Sequence, residues 1–263
     1  MWCCQRASDC VAAGVSCNSP SHPLESLLRV PFAVKLKGRT LNQCRFCEIM
    51  VMSRDNREFY DEVLDENDDF FVIPALGSLV EDYVLIVSKR HVLSMCYLNE
   101  QEKKNLIDIT NKLRMRLKER YDFFPIVFEH GASHSDMNRS ACCVIHAHVH
   151  VVPIRLSCQE EMCSALEISE IAGFEALYKL GKDKPYISFL DNTEKMFFRD
   201  VSGAAMLSQI IRQWIARDLG TTRWDWRLHH FEKNIRATID EFTEKKQQFK
   251  YFNAEKLRDI SNH

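Results

Sequence analysis

The chain has 263 residues, of which 46% are hydrophobic and 27% charged, with a formal net charge of −2. That length can bury a substantial core in one domain with extensions or in two small domains. The near-neutral charge gives no electrostatic footprint for nucleic acid, and no run of eighteen apolar residues suggests a membrane span. Arg6 and Asp9 interrupt an N-terminus without an apolar h-region, so no secretory signal is expected. The 11 cysteines are an odd number, which points to reduced thiols and a cytoplasmic protein rather than a disulfide framework.

Residues 1–40 hold Cys3, Cys4, Cys10, Cys17, Pro20 and Pro23 without periodicity and read as a flexible extension. Residues 41–155 read as a compact α+β domain. It opens on the pair Cys44-Arg-Phe-Cys47, followed by two short β-rich runs, Asp69–Pro74 and Asp82–Ser88, separated by a Gly77-Ser78 turn signal. Asn99 precedes Glu102 by three, the spacing of a capping box. Leu106, Ile109, Leu113 and Leu117 then follow at helical intervals, predicting one long helix that ends near Tyr121. Pro125–Glu129 makes a further strand, and a polar loop leads to His146. Beyond Arg155, residues 156–263 read as a mainly helical extension. Its elements are a helix over Glu167–Leu180, a hairpin of Tyr186–Leu190 with Lys195–Arg199, and helices over Met206–Leu219 and Phe231–Phe249.

Residues 146–150 read His-Ala-His-Val-His. Alternation of period two is that of a half-buried strand and puts His146, His148 and His150 on one face. At about 3.3 Å per residue, neighbouring imidazoles are rooted roughly 7 Å apart and the outer two roughly 13 Å apart. The outer two are too far apart to share one ion readily, so the three should have different roles. The middle imidazole, His148, is suited to act as a nucleophile, with one ring nitrogen bonded to a backbone carbonyl and the other free. His150 can donate to phosphate oxygens or to a departing group. A metal enzyme using two of the histidines and a distant third ligand is the competing reading.

Structural zinc takes four ligands, commonly two from a C-x-x-C knuckle. Cys44 and Cys47 supply such a knuckle, and His91 (just past a strand) with His146 would complete it. This site would lock the register of His148.

The run H-A-H-V-H-V-V, with Cys-x-x-Cys upstream and Lys89-Arg90-His91 between, resembles the histidine triad superfamily of nucleotide hydrolases and transferases, over about residues 43–155. The resemblance implies a five-stranded antiparallel sheet with a long helix, a homodimer, and a nucleotide substrate. It further implies that His148 attacks an α-phosphate to give a nucleotidyl-histidine that water hydrolyses, with His146 a ligand of structural Zn2+. The transferase branch carries glutamine at the third histidine, so His150 favours hydrolysis of a phosphoanhydride or phosphoramidate. The positions that hold phosphate and ribose in the family are here Cys142, Cys143 and Ala75, which are poorer partners. Cys143, Ser140, Asn138, His134 and Leu76 are therefore the candidate substrate-binding residues. In the tail, Trp224, Trp226, Arg227, His229 and His230 either stack a base and hold phosphate or anchor a helix by packing.

Overall fold

The computed structural model describes residues 44–134, 146–204 and 209–245. The extension expected over residues 1–40 lies outside the described residues. Among the described residues eight strands form one sheet, and every adjacent pair is antiparallel. In chain order they are β1 (Asp65–Glu66), β2 (Phe70–Pro74), β3 (Val84–Ser88), β4 (Ile126–Gly131), β5 (His148–Val152), β6 (Ser169–Ile171), β7 (Tyr186–Leu190) and β8 (Met196–Asp200). Across the sheet the order is β1-β2-β3-β5-β4-β7-β8-β6. The histidine strand is thus interior, paired on one side with β3 and on the other with β4. Among the described residues six α-helices accompany the sheet: α1 (Arg45–Val51), α2 (Glu100–Tyr121), α3 (Gln159–Ala165), α4 (Phe174–Leu180), α5 (Ile210–Asp218) and α6 (residues 232–245).

Period-two alternation divides the sheet into two faces with separate cores. On one face lie Val149, Val151, Ile86 and Val84, packed with Leu106, Ile109, Leu113 and Leu117 of α2 and with Phe242 of α6. On the other lie the histidines with Phe128, Leu85, Val87 and Val152, and against these pack Phe46 of α1 and Ile210, Ile211 and Ile215 of α5. The capping box predicted for α2 is present: the Asn99 side chain accepts from the backbone N–H of Gln101 and Glu102, and Glu102 returns a bond to the Asn99 N–H.

The α+β antiparallel fold expected from the sequence is present, with two corrections. The sheet has eight strands rather than five, because the β7–β8 hairpin pairs with β4 from Val127↔Leu190 to Gly131↔Tyr186. The segment after residue 155 therefore extends the sheet as well as supplying helices. The helix expected over Glu167–Leu180 is split. Glu167 and Gly173 both have positive φ, and between them Ser169–Ile171 pairs with β8 instead. These positive-φ residues break the right-handed helical path, leaving only Phe174–Leu180 as α4.

Gly77 is the one glycine whose freedom matters to the site. Its φ is +79°, and a Cβ there would meet the Trp226 Cβ at 2.5 Å and Arg212 Nη2 at 2.8 Å. The turn before β3 can receive the C-terminal segment only without a side chain.

Candidate functional site

The cysteine knuckle is the start of α1, with Cys44 at the N-cap and Cys47 in the first turn. His91 follows β3, and His146 precedes β5. These four residues, distant in sequence, converge so that one ligand atom of each lies within 4.8 Å of the others. Cys44 Sγ is 3.2 Å and Cys47 Sγ 3.6 Å from His146 Nδ1, while His91 Nδ1 is 3.3 Å from Cys47 Sγ and 3.1 Å from His146 Nδ1. The edge of a tetrahedral zinc site with S and N ligands is about 3.5 Å, from metal–ligand lengths near 2.3 and 2.1 Å. The donor set and its spacing therefore fit a structural zinc.

The tautomer of His146 fits as well. Its Nε2 lies 2.7 Å from the Ser88 carbonyl oxygen, so that nitrogen carries the proton and Nδ1 turns a lone pair toward the thiols. Burial chiefly, offset by that bond, pushes the imidazole down to about 4, leaving it neutral near pH 7. Burial and the neighbouring Cys44 push the Cys47 thiol up to about 11 without a cation. A divalent ion would reverse that balance by stabilising thiolates.

His148 Nδ1 is 2.7 Å from the carbonyl oxygen of His146. The ring nitrogen donates there, and Nε2 keeps a free lone pair. Phe46 packs edge-on against the rings of both His146 and His148, at centroid distances of 5.5 and 5.3 Å. Desolvation holds His148 below the ordinary imidazole range, which preserves the neutral, nucleophilic form.

His150 is held on three sides. Its ring stacks on Phe128 at 4.3 Å with planes 5° apart, lies 5.0 Å from the His148 ring, and has its Nδ1 2.8 Å from the Tyr83 hydroxyl. Burial raises Tyr83, so the phenol keeps its proton and donates it to Nδ1. His150 Nε2 then carries the N–H and is a hydrogen-bond donor. Burial first, then His148, His130 and Arg212, hold His150 well below its usual value and hence neutral.

His130 belongs to the same face: it lies two residues beyond Phe128 on β4, and its buried Nε2 has no partner among the described residues. Arg212 of α5 lies over the Tyr83 ring at 5.4 Å and donates to the carbonyls of Gly77 and Trp224.

The remaining expected site residues fare differently. His134 is exposed and edge-on to Tyr97 at 5.4 Å. Leu76 is half-buried in the turn before β3, and Ala75 is fully buried in the core on the histidine face. Asn138, Ser140, Cys142 and Cys143 lie outside the described residues. Trp224 packs against the same core and Trp226 against Gly77, so these tryptophans anchor the C-terminal segment. Arg227 is tied to Asp225, with Nη2 2.6 Å from its Oδ2.

Tyr83, Phe128, His130, Phe46 and Arg212 were not among the residues picked out from the sequence. Register could have found the first three, because Phe128 and His130 lie on β4 and Tyr83 immediately before β3, at positions whose parity matches the histidines. Arg212 carries no local signal.

No family model matches this chain, and no curated relative matches it. Solved structures are similar over part of it. They include a HIT (histidine triad) family hydrolase from Clostridium thermocellum, 23% identical, with a TM-score of 0.32 and covering 43% of this chain and 91% of that one. A zinc-bound histidine triad family protein from Mycobacterium smegmatis is 19% identical, with a TM-score of 0.35 over 43% and 76% of the two chains. A hypothetical histidine triad nucleotide-binding protein from Sulfolobus tokodaii is also 19% identical, with a TM-score of 0.34 over 42% and 68%. Each of these likenesses extends over less than half of this chain.

Proposed function

We propose that this protein is a histidine triad hydrolase that binds a nucleotide and cleaves a phosphoanhydride or phosphoramidate bond through His148. The observation carrying this reading is the pair of complementary tautomers on one strand: His148 with a free Nε2 lone pair, His150 with an Nε2–H donor 5.0 Å from it, ring to ring. For an anhydride, His148 Nε2 attacks the α-phosphorus, the P–O bond to the distal phosphate breaks, and that phosphate leaves as an anion. The positive charge on the substituted imidazole is shared through Nδ1–H with the His146 carbonyl. His150 donates to a phosphate oxygen as charge builds there. Water then attacks phosphorus, the P–N bond breaks, a proton passes to solvent, and neutral His148 is restored with a nucleoside monophosphate.

In this reading Cys44, Cys47, His91 and His146 hold a structural zinc. When bound, it supplies a rigid tie between α1, the end of β3 and the start of β5, and takes no part in the phosphorus chemistry. The fit of the four donors supports this. Residues 41–155 carry the chemistry; in the segment after residue 155, β6, β7 and β8 extend the sheet, α5 packs on the histidine face and α6 on the α2 face. A cytoplasmic homodimer belongs to the same reading. Among the described residues Cys44, Cys47, Cys96, Cys158 and Cys163 are free thiols, and no described helix is long and apolar enough to cross a membrane.

The test is a panel of dinucleoside polyphosphates and nucleoside phosphoramidates, with products resolved by chromatography and metal content measured on the same sample. Release of a nucleoside monophosphate by the wild type and its loss in His148→Ala are expected. Nucleotide binding without turnover across the panel would instead mark a nucleotide-binding protein that has lost catalysis.

A further inference from the structure

We propose that Arg212, from the segment after residue 155, is an anion-binding residue of this site and takes a phosphate group of the ligand on the Tyr83 side of His150. This rests on the reading of the site as a nucleotide site.

A guanidinium is charged at all relevant pH and is costly to bury without a counter-ion. Arg212 is 3% exposed, yet it has no carboxylate at ion-pair distance among the described residues. Arg114 makes the contrast: it is 5% exposed on the opposite side of the fold and is paired with Glu194, Nη1 to Oε1 at 3.2 Å. Arg212 is instead steadied by neutral groups, through Nε and Nη2 to the carbonyls of Trp224 and Gly77 and through its plane to the Tyr83 ring. These contacts fix the fork without cancelling its charge. The Tyr83 side chain is a further hydrogen-bond partner of the same guanidinium, and it too is neutral.

The charge lies where an anion would be useful. The Tyr83 ring beneath the guanidinium carries the hydroxyl that bonds to His150 Nδ1 at 2.8 Å. The same guanidinium is close enough to His150 to disfavour its protonated form. With the imidazoles neutral, Arg212 is the fixed positive charge beside them. A phosphate oxygen lodged against the guanidinium would accept a charge-assisted hydrogen bond from it, so that Arg212 acts as a clamp on the anion. The C-terminal segment reaches this point because Gly77 leaves room for Trp226 and the Arg212 side chain.

The experiment measures binding of AMP, inorganic pyrophosphate and adenosine to the full chain by calorimetry, for the wild type, Arg212→Met and Arg212→Lys. Methionine keeps an apolar stem over Tyr83 without charge. Hydrogen bonds to charged groups contribute about 1.5–3 kcal/mol, so AMP and pyrophosphate should weaken roughly 10- to 100-fold in Arg212→Met. Adenosine affinity should be unchanged, and the salt dependence of AMP binding should flatten. A folded Arg212→Met protein that binds AMP as the wild type does, or that loses adenosine equally, overturns the proposal. Where Arg212→Met does not fold, Arg212→Lys decides: weaker pyrophosphate binding supports the clamp, and unchanged binding overturns it. Failure of the enzymatic reading looks different. A wild type that turns nothing over but binds AMP in an Arg212-dependent way leaves this inference standing. Turnover with KM unaffected by Arg212→Met removes this inference and leaves the enzymatic reading.

Discussion

The two faces of the sheet use the same strands for opposite ends. On the α2 face, Val149 and Val151 of β5 meet Ile86, Val84 and the leucine stripe of α2 in a seam that is almost wholly apolar. On the other face the same five residues of β5 present His148 and His150, which sit among aromatic rings, hydroxyl and carbonyl partners. Period-two geometry allows this because each strand's side chains alternate between faces. The apolar face provides stability by close packing. The histidine face uses that rigidity to hold neutral imidazoles in chosen tautomers. Stability and chemistry should therefore separate cleanly in mutants.

The largest separation is expected between Leu113→Ala and His148→Ala. Leu113 is 1% exposed in the α2 seam, and its truncation should cost about 2–5 kcal/mol in denaturant unfolding while leaving turnover of the folded fraction intact. His148→Ala should cost turnover at least roughly a thousandfold, as for loss of a nucleophile, with a much smaller stability change than Leu113→Ala. Equal stability losses would mean that the histidine face is core rather than site.

Metal removal comes next. Chelation should lower the melting temperature and mobilise α1, because the tie between Cys44, Cys47, His91 and His146 is lost. The Cys44→Ser, Cys47→Ser double variant should resemble the chelated protein and be indifferent to chelator. Loss of activity with an unchanged melting temperature would assign the metal to catalysis instead.

The third contrast uses the one buried carboxylate on the α2 side of β4. Glu129 is 3% exposed, accepts from the Met95 N–H at 2.8 Å and from the Tyr186 hydroxyl, and has Cys96 nearby. Burial outweighs those bonds and pushes it up to about 7. A raised carboxyl binds its proton more tightly folded than unfolded, so its contribution is full below the unfolded value near 4.5 and is lost as pH rises through about 7. Stability should therefore fall across this window by an amount on the order of 1.4 kcal/mol per unit of displacement. Glu129→Gln should flatten that slope without changing substrate affinity, and an unchanged slope would show that Glu129 is not its source. Smallest is Asn99→Ala, which removes the capping box of α2 and should cost about 1 kcal/mol by denaturation.

Much of this was legible because the signals are local. The capping box, the α2 stripe, β2, β3, β5 and the β7–β8 hairpin all follow from spacing within a short window. His146, His148 and His150 declare their shared face in the same way, and the knuckle adds a known ligand spacing. What was not legible depends on strand order and on long-range approach. Nothing near Arg212 indicates Gly77, 135 residues away, or the Tyr83 ring beyond it. The helix expected over Glu167–Leu180 failed for a related reason: pairing of Ser169–Ile171 with β8 outweighed local helical pattern. The extra strands likewise depend on an edge of β4 that exists only in the folded sheet.

The division of labour along β5 is tested most directly by trapping the intermediate. The protein would be mixed with an α-phosphate-labelled dinucleoside polyphosphate, quenched in base, digested, and the acid-labile label located by peptide mapping. The account predicts label on His148 in the wild type and none in His148→Ala. Label on His146 or His150, or rapid turnover with no label on any histidine, would contradict it.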